Sequence, residues 1–238
     1  MSAYPLGPLS ATPPLQVAEA INSRLRKAAV RVGAAPTVGL SAISSGFATL
    51  DDATGFRGFP RGRITEIIGQ PTSGRETLAA HTVAAADGYS AWVDIPGLLD
   101  VADLASRGVD LARLFIVRPE RATDALALTS QLLSAGHFSV VVLDAMADLA
   151  RAGVTSQAVA QFIRVATPAF GHISTAALIL SSPENHYRPL AHAAALRLSL
   201  VKIGLLRRGG VFRGWRTQVR ILKSPGLQGG ELGIEIWL

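Results

Sequence analysis

The chain has 238 residues, of which 49% are hydrophobic and 17% charged, a composition typical of a folded protein with a sizeable core. It contains no cysteine, which excludes disulfides and thiolate metal sites, and no apolar run reaches the roughly 20 residues needed to cross a bilayer. Because no secretory signal opens the chain, we expect a cytoplasmic protein without a membrane anchor.

The net charge of +6 is concentrated towards the C-terminus. Between Asp51 and Glu184 there are ten basic and fourteen acidic residues, whereas between Asn185 and Gly230 there are nine basic residues and no acidic one. Such a patch suits a polyanion or an acidic protein surface, and it also suits a solvated face that keeps the protein soluble.

Two short segments precede the core in the sequence. Residues 1–14 are rich in proline and small residues and predict a flexible arm. Residues 15–40 predict a helix and a linker, in which Val17, Ile21 and Leu25 form an apolar stripe. Because a short helix cannot bury such a stripe alone, we expect it to dock on its own body, a second copy or another protein.

Residues 41–238 read as one α/β domain. After a turn-rich segment, the strand RITEIIG is followed by a helix, and the strands AWVDI, LFIVRP, SVVVLDA and TAALILSS then alternate with further helices. This alternation predicts a mostly parallel sheet flanked by helices on both faces. From about residue 195 the pattern changes to strands alone, which predicts an antiparallel meander with turn conformations at Gly209, Gly210 and Gly214.

The stretch GQPTSGRET, residues 69–77, lies between the first strand and its helix and is close to the phosphate-binding pattern G-x-x-x-x-G-K-[ST]. Gly69 and Gly74 have the required spacing, but Arg75 and Glu76 occupy the lysine and hydroxyl positions. Arginine can still pair with phosphate. The glutamate, however, adds negative charge beside a triphosphate, at a cost on the order of 1–4 kcal/mol at about 4 Å. An internal Arg75–Glu76 pair is an alternative that would replace the missing phosphate.

Several segments, taken in order, resemble the RecA ATPase core: ISSGFATLDDATGFRGFPRGRITEIIGQPTSGRETL, AWVDI, RGVDLARLFIVRP, VVVLDAMADL and VRILKS. The likeness covers about residues 41–238. It is closest to the ImuA family, RecA paralogues that act as accessory proteins in SOS-induced translesion DNA synthesis. The resemblance implies a RecA-like fold.

The resemblance also implies which positions carry nucleotide chemistry. In RecA-like enzymes a catalytic glutamate follows the strand that ends here at Asp94, but in this chain Pro96 and Gly97 occupy that region. Asp144 stands at the position of the Mg²⁺-binding aspartate and either holds Mg²⁺ through water or caps the following turn. We therefore expect no catalytic residue, no metal site and no bound cofactor, with a degenerate loop made of these residues: Gly69, Ser73, Gly74, Arg75, Glu76, Thr77 and Asp144.

The function implied by the resemblance is a non-hydrolysing adaptor in DNA damage tolerance. Its implied partners are an ImuB-like protein, RecA and a damage-tolerant replicative-type polymerase, with self-association left open. Val17, Ile21 and Leu25 are the expected anchors, because an apolar stripe laid into a groove gives association energy. The alternative is a weak ATPase or an ATP-gated DNA-binding protein, in which Arg75 replaces lysine and Glu76 helps to bind Mg²⁺.

The basic meander is a candidate for nucleic-acid contact, which would bring the protein to the nucleoid. In WRTQVRILK, alternate residues starting at Trp215 face one side of a strand, while Arg216 and Arg220 face the other. Charged residues on an exposed strand also prevent sheet-to-sheet aggregation, so both interpretations stay open. The candidate contact residues are Arg207, Arg208, Arg213, Arg216 and Arg220.

The loops that bind single-stranded DNA in RecA-like recombinases are short here. The second of them, PENHYRPLAHA, contains His186, Tyr187, Arg188 and His192, which could stack on a base or contact phosphate, or simply form a surface loop. The five histidines of the chain lack metal-binding spacing.

Overall fold

The computed structural model describes residues 41–238 apart from 171–173, 185–186, 226–229 and 238. The predicted arm and N-terminal helix, with Val17, Ile21 and Leu25, lie outside the described residues, as does His186. The strands are β1 (Ala42–Ile43), β2 (Phe59–Pro60), β3 (Arg63–Gly69), β4 (Tyr89–Asp94), β5 (Leu114–Val117), β6 (Phe138–Asp144), β7 (Ala176–Ser181), β8 (Leu196–Arg208), β9 (Val211–Lys223) and β10 (Gly230–Trp237). The helices are α1 (Ala48–Ala53), α2 (Arg75–Ala84), α3 (Val101–Ser106), α4 (Ala125–Ala135), α5 (Met146–Arg151), α6 (Ser156–Phe170) and α7 (Arg188–Ala193).

The main sheet has eight strands in the order β10-β9-β8-β3-β7-β6-β4-β5. The strands from β8 to β5 pair in parallel, whereas β9 is antiparallel to both β8 and β10. The predicted parallel sheet with an antiparallel extension is therefore confirmed. β1 and β2 form a separate two-stranded antiparallel sheet that the sequence pattern did not predict.

Apolar residues cover both faces of the parallel part of the sheet. On one face, Leu50 of α1, Leu78 of α2 and Leu104 of α3 belong to the core cluster that contains the buried Trp92. On the other face, α4, α5, α6 and α7 contribute to a second cluster. Because both faces are covered, the parallel strands are near-continuous apolar runs, and all six residues of β7 are buried.

The parallel register brings four strand ends to one edge of the sheet. Asp94 pairs with Asp144, and Ile68 pairs with Ser181, so β4, β6, β7 and β3 all end at nearly the same level. In open α/β sheets this carboxyl edge is where ligands bind. The loop after Gly69 and the acidic residues Asp94 and Asp144 are thereby placed together.

The meander differs from the prediction at one glycine. Gly209 and Gly210 form the turn between β8 and β9, with φ of 58° and 79°. Gly214, in contrast, lies inside β9, so its assignment to a turn is wrong. It is needed at a close approach, since a Cβ there would lie 2.0 Å from the carbonyl oxygen of Ile236.

Candidate functional site

The glycine-bracketed loop joins β3 to α2 at the carboxyl edge of the sheet. Gly74 is the N-cap of α2, with a φ of 97°, and Thr72 also has a positive φ, of 69°. A side chain at Gly74 would be strained, and its Cβ would lie 2.4 Å from Cδ1 of Ile236. A loop of left-handed residues running into a helix N-terminus is the backbone arrangement that binds anions in many proteins.

Arg75 turns its side chain back onto the ends of the strands instead of towards solvent. It is 7% exposed, and its Nε donates to Oε1 of Glu76 at 2.6 Å. Its Nη1 donates to the carbonyl oxygens of Gly69, at 3.1 Å, and Ser181, at 3.2 Å. One guanidinium therefore joins β3, β7 and the first turn of α2. The internal Arg75–Glu76 pair, one of the alternatives from the sequence, is present.

Asp144 faces the same guanidinium without a hydrogen bond to it. Its Oδ1 lies 3.8 Å from Nη2 of Arg75. Burial raises the pKa of Asp144 to about 7; the Arg75 guanidinium opposes this, and the carboxylates of Glu76, Asp94 and Asp148 add to it. Arg75 offsets the effect of burial only in part, because its Nη2 stays 3.8 Å from the carboxylate, beyond hydrogen-bond distance. The N-cap of helix α5 is Ala145, which makes no side-chain capping hydrogen bond.

Asp94 organises the turn that holds Pro96. Its side chain is buried and accepts hydrogen bonds from the backbone N–H of Gly97, at 2.9 Å, and of Leu99, at 3.3 Å. Nε of Arg118 donates to the same carboxylate at 2.9 Å. The carboxylate of Asp94 is thus engaged in shaping the turn, and Pro96, which has no ionisable group, lines the neighbouring cleft.

A cleft of 420 Å³ opens beside Arg75. Its lining combines apolar residues, among them Leu98, which is 83% exposed, with two arginines, Arg75 and Arg151. The carboxylates of the lining outnumber these cations: they are Glu76, Asp100, Asp103, Asp144 and Asp148. The lining is therefore more acidic than basic, which disfavours a polyphosphate. The excess of charge is smaller than this count, because Asp103 pairs with Arg107 and Asp144, with a pKa of about 7, is only partly ionised at neutral pH.

The antiparallel extension supports the loop from one side. The hydroxyl of Thr217 on β9 donates to the carbonyl oxygen of Ser73 at 2.8 Å. Ser73 and Thr77 are both buried, and the Ser73 hydroxyl has no hydrogen-bond partner among the residues described. The loop is consequently packed between the sheet edge and β9 and β10, with its serine withdrawn from the cleft lining.

The structure divides the five candidate arginines of the meander into two groups. Arg216 forms an ion pair with Glu235 at 2.6 Å, and Arg220 forms one with Glu231, both across the β9–β10 ladder. Arg207, Arg208 and Arg213 lie at the end of the β8–β9 hairpin, where the described part of the chain offers them no ion-pair or hydrogen-bond partner. The five residues therefore do not form one uniform cationic surface.

The segment PENHYRPLAHA is not an open loop throughout. Arg188–Ala193 forms α7, and Tyr187 is 7% exposed, with its hydroxyl donating to the carbonyl oxygen of Val154 at 3.1 Å. Tyr187 therefore belongs to the core and cannot stack on a base. Arg188 and His192 remain exposed on the surface.

Three site residues were missed by sequence reasoning: Arg118, Ser181 and Thr217. Arg118 directly follows β5 in the sequence, a position from which it could have been predicted to reach the carboxyl edge of the sheet. Ser181 contributes a backbone carbonyl and Thr217 an ordinary strand hydroxyl, so neither carries a sequence signal. Within the described residues, no group of three or more His, Cys, Asp or Glu side chains is placed to hold a metal ion.

Comparisons with known proteins agree with this architecture. A family model of the RecA N-terminal domain matches residues 16–169. A protein named RecA from Aquifex pyrophilus is 31% identical over 240 aligned residues, which cover 88% of this chain and 69% of the relative. RecA from Chlorobium chlorochromatii is 32% identical over 213 residues, covering 78% of this chain and 60% of the relative.

A third relative, RecA from Bifidobacterium breve, is 30% identical over 224 residues, which cover 82% of this chain and 57% of its own length. The alignments thus cover between 57% and 69% of the lengths of these three proteins. No helix among the described residues is both long and apolar enough to cross a membrane.

Proposed function

Because this chain belongs to the RecA family, we propose that it is a RecA-fold adaptor that has given up nucleotide hydrolysis. The observation that carries the proposal is the Arg75 side chain, whose hydrogen bonds go to Glu76 and to the carbonyls of Gly69 and Ser181. In a nucleotide-hydrolysing loop the corresponding cation reaches the β- and γ-phosphates. Here the cation is part of the protein's own hydrogen-bond network.

The surrounding charges support the same proposal. A hydrolysing site needs a small hydroxyl on Mg²⁺ and an acid that orients water. Glu76 replaces the hydroxyl, and its carboxylate is half-buried against Arg75. Five acidic side chains and two arginines line the cleft, so a bound triphosphate would meet more acidic than basic groups there.

The alternative of a weak ATPase or an ATP-gated switch requires Arg75 to leave its partners. Removing a buried guanidinium from two backbone carbonyls would leave these acceptors without a donor, at a cost of roughly 1–3 kcal/mol each. Glu76 would also have to exchange a 2.6 Å ion pair for a metal ion. The adaptor role requires neither change.

The cellular role in the proposal is that of an ImuA-type accessory protein in SOS-induced translesion DNA synthesis. The segments from ISSGF to VRILKS support it by their resemblance to that family, and the fold belongs to the RecA family. The proposed partners are an ImuB-like protein, RecA and a damage-tolerant replicative-type polymerase, in the cytoplasm and in part at the nucleoid. Val17, Ile21 and Leu25 are the proposed anchors for a partner.

The experiment that tests the loss of nucleotide chemistry compares the natural loop with a restored one. Replacing Arg75→Lys and Glu76→Thr gives the pattern G-x-x-x-x-G-K-T. Isothermal titration with Mg·ATP should give no heat of binding for the natural protein. The double variant should bind in the micromolar range without hydrolysis, because Pro96 still replaces the catalytic acid. A rise in the melting temperature of the variant with Mg·ATP provides a second readout.

The single variant Glu76→Thr serves as the control, since it removes the carboxylate while keeping Arg75. Micromolar binding or turnover by the natural protein would overturn the proposal and favour the ATPase alternative. Near-ultraviolet circular dichroism of each variant checks that the loop exchange has left the packing of the core intact.

A further inference from the structure

The end of the β8–β9 hairpin overhangs the sheet. β8 pairs with β3 only as far as Leu200, and β10 pairs with β9 only from Gly214 onwards. Within the described residues, 201–213 therefore have no further strand paired to either edge, and we call them the ribbon. All of its residues except Leu206 are exposed. A two-stranded hairpin is at best marginally stable on its own in water.

The ribbon exposes large apolar side chains on both strands. Val201, Ile203 and Leu205 on β8 are 52–54% exposed, and Val211 and Phe212 on β9 are 54% and 43% exposed. Successive residues of a strand point to opposite faces, so these five side chains are distributed over both faces of the hairpin. Five large apolar side chains on one short exposed hairpin are nevertheless more than the scattered single ones that are ordinary on protein surfaces. In the described part of the chain these five side chains remain 43–54% exposed.

The charge of the ribbon has one sign. Arg207, Arg208 and Arg213 have no ion-pair partner among the described residues, and Lys202 lies over the Trp215 ring at 5.2 Å. No acidic residue occurs between Asn185 and Gly230. Arg216 and Arg220, further along β9, are in contrast paired with Glu235 and Glu231. A cationic surface that lacks its own counter-charges is complementary to an acidic one.

We propose that the ribbon is the docking surface for a protein partner that presents an acidic segment containing apolar residues. This deepens the adaptor function proposed above and rests on it. Exposed apolar side chains interspersed with unpaired arginines are a composition typical of protein–protein interfaces. Phosphate backbones would use the arginines but would leave Ile203, Leu205 and Val211 in water, so the aliphatic content favours a protein over a nucleic acid.

The test uses two pairs of substitutions that remove equal charge from the β8–β9 hairpin. Arg208→Gln with Arg213→Gln neutralises unpaired arginines of the ribbon, and Arg216→Gln with Arg220→Gln neutralises ion-paired ones. A third variant, Ile203→Ser with Leu205→Ser, removes apolar surface while keeping the charge. Each full-length variant is titrated against the purified ImuB-like protein of the same organism by biolayer interferometry, with melting temperatures recorded to confirm folding.

The expected result is a loss of affinity of about tenfold or more in both ribbon variants and a change within about twofold in the Arg216/Arg220 variant. Affinity of the natural protein should fall with salt. A photoreactive residue placed at Val211 should crosslink to an acidic, apolar segment of the partner. Crosslinking to a basic segment would contradict the proposal.

The other outcomes separate the two proposals. If the natural protein binds the partner and the ribbon variants bind equally well, the ribbon is not the docking surface, and the adaptor function stands. If the ribbon variants lose affinity only for a fluorescent oligothymidine of about 30 nucleotides, and not for the protein partner, the surface binds nucleic acid instead. If the natural protein binds neither the ImuB-like nor the RecA-type partner, the adaptor function fails, and the docking surface fails with it.

Discussion

At position 75 the choice of arginine over lysine decides where the positive charge goes. A guanidinium is planar and has five N–H donors, so it can serve Glu76 and two strand-end carbonyls at the same time. A lysine ammonium at the same position has three donors on a flexible stem and cannot match that fixed geometry. The loop has thus exchanged a cation that could reach a ligand for one that holds the sheet edge together.

The pKa of Asp144 leads to a prediction about stability and pH. In the folded protein burial first, and then neighbouring carboxylates, raise this pKa from 3.8 to about 7, against the effect of Arg75. Between these values the folded state holds a proton that the unfolded state has lost, so the free energy of unfolding falls as pH rises from about 4 to 7. Asp144→Asn removes that ionisation. We expect the variant to be more stable than the natural protein at pH 8, by about 1–3 kcal/mol, with a smaller difference at pH 5.

Urea denaturation of the natural protein and the Asp144→Asn variant at the two pH values measures this difference. Asp52→Asn, at an exposed position of α1, is the control and should leave the pH dependence as it is. Equal effects of Asp144→Asn at both pH values would show that Asp144 is ionised throughout.

The residues of the site differ in how far they could be predicted. Arg75 and Glu76 stand out because a well-defined pattern demands other residue types at those positions. Their pairing was one of the alternatives, since adjacent opposite charges at a helix start can meet. The contact of Arg75 with Ser181 could not be predicted, because it depends on β7 lying between β3 and β6. Strand order in a parallel sheet is set by tertiary packing, and the local hydrophobic pattern of the sequence does not predict it.

At the level of the elements, the β9–β10 pair depends on one position without a side chain. The Gly214 backbone has a φ of 153°, and a Cβ there would meet the Ile236 carbonyl oxygen, a backbone atom that cannot rotate away. We expect Gly214→Ala to destabilise the protein by about 2–3 kcal/mol and to loosen β10.

The matched control is Gly209→Ala, at the hairpin turn, where φ is 58° and no atom lies within 4 Å of the added Cβ. This substitution places an alanine in the left-handed conformation but creates no steric contact. We therefore expect it to lower the free energy of unfolding by only about 1 kcal/mol. Thermal unfolding and hydrogen exchange of β10 amides compare the two. Equal destabilisation would mean that β10 shifts freely away from β9.

The elements that the sequence predicted correctly are those with strong periodicity. β3 occupies the whole of the predicted RITEIIG, and the change from alternating elements to strands alone falls where β8 begins. The short helices α1, α5 and α7, of six residues each, were missed. Helices of that length show too few turns for an apolar period, and their formation depends on packing Leu50, Leu149 and Leu190 into the core.

At the scale of the whole molecule, we expect the core to determine folding and the N-terminal segment to determine partner capture. Replacing Ile21 and Leu25 with aspartate should abolish capture of a RecA-type or ImuB-like partner, because charges replace the apolar stripe. The melting temperature should stay within about 1 °C, since the described core clusters are composed of residues from Ile43 onwards. Pull-down with purified partners measures capture, and Arg24→Gln, outside the stripe, is the control.

Unchanged capture by the Ile21/Leu25 variant would remove the N-terminal helix from the adaptor proposal and leave the ribbon as its docking surface. A fall in melting temperature would show instead that the stripe stabilises the fold. The two proposed surfaces can thus be tested separately, because each has its own set of substitutions.

The guanidinium of Arg75 has one consequence for how a cell would govern this protein. Under the proposed function the loop takes no nucleotide, because the Arg75 side chain already satisfies its acceptors. Such a protein would not respond to the ratio of ATP to ADP in the cell. Its activity would follow its abundance, which makes synthesis and degradation the points of control.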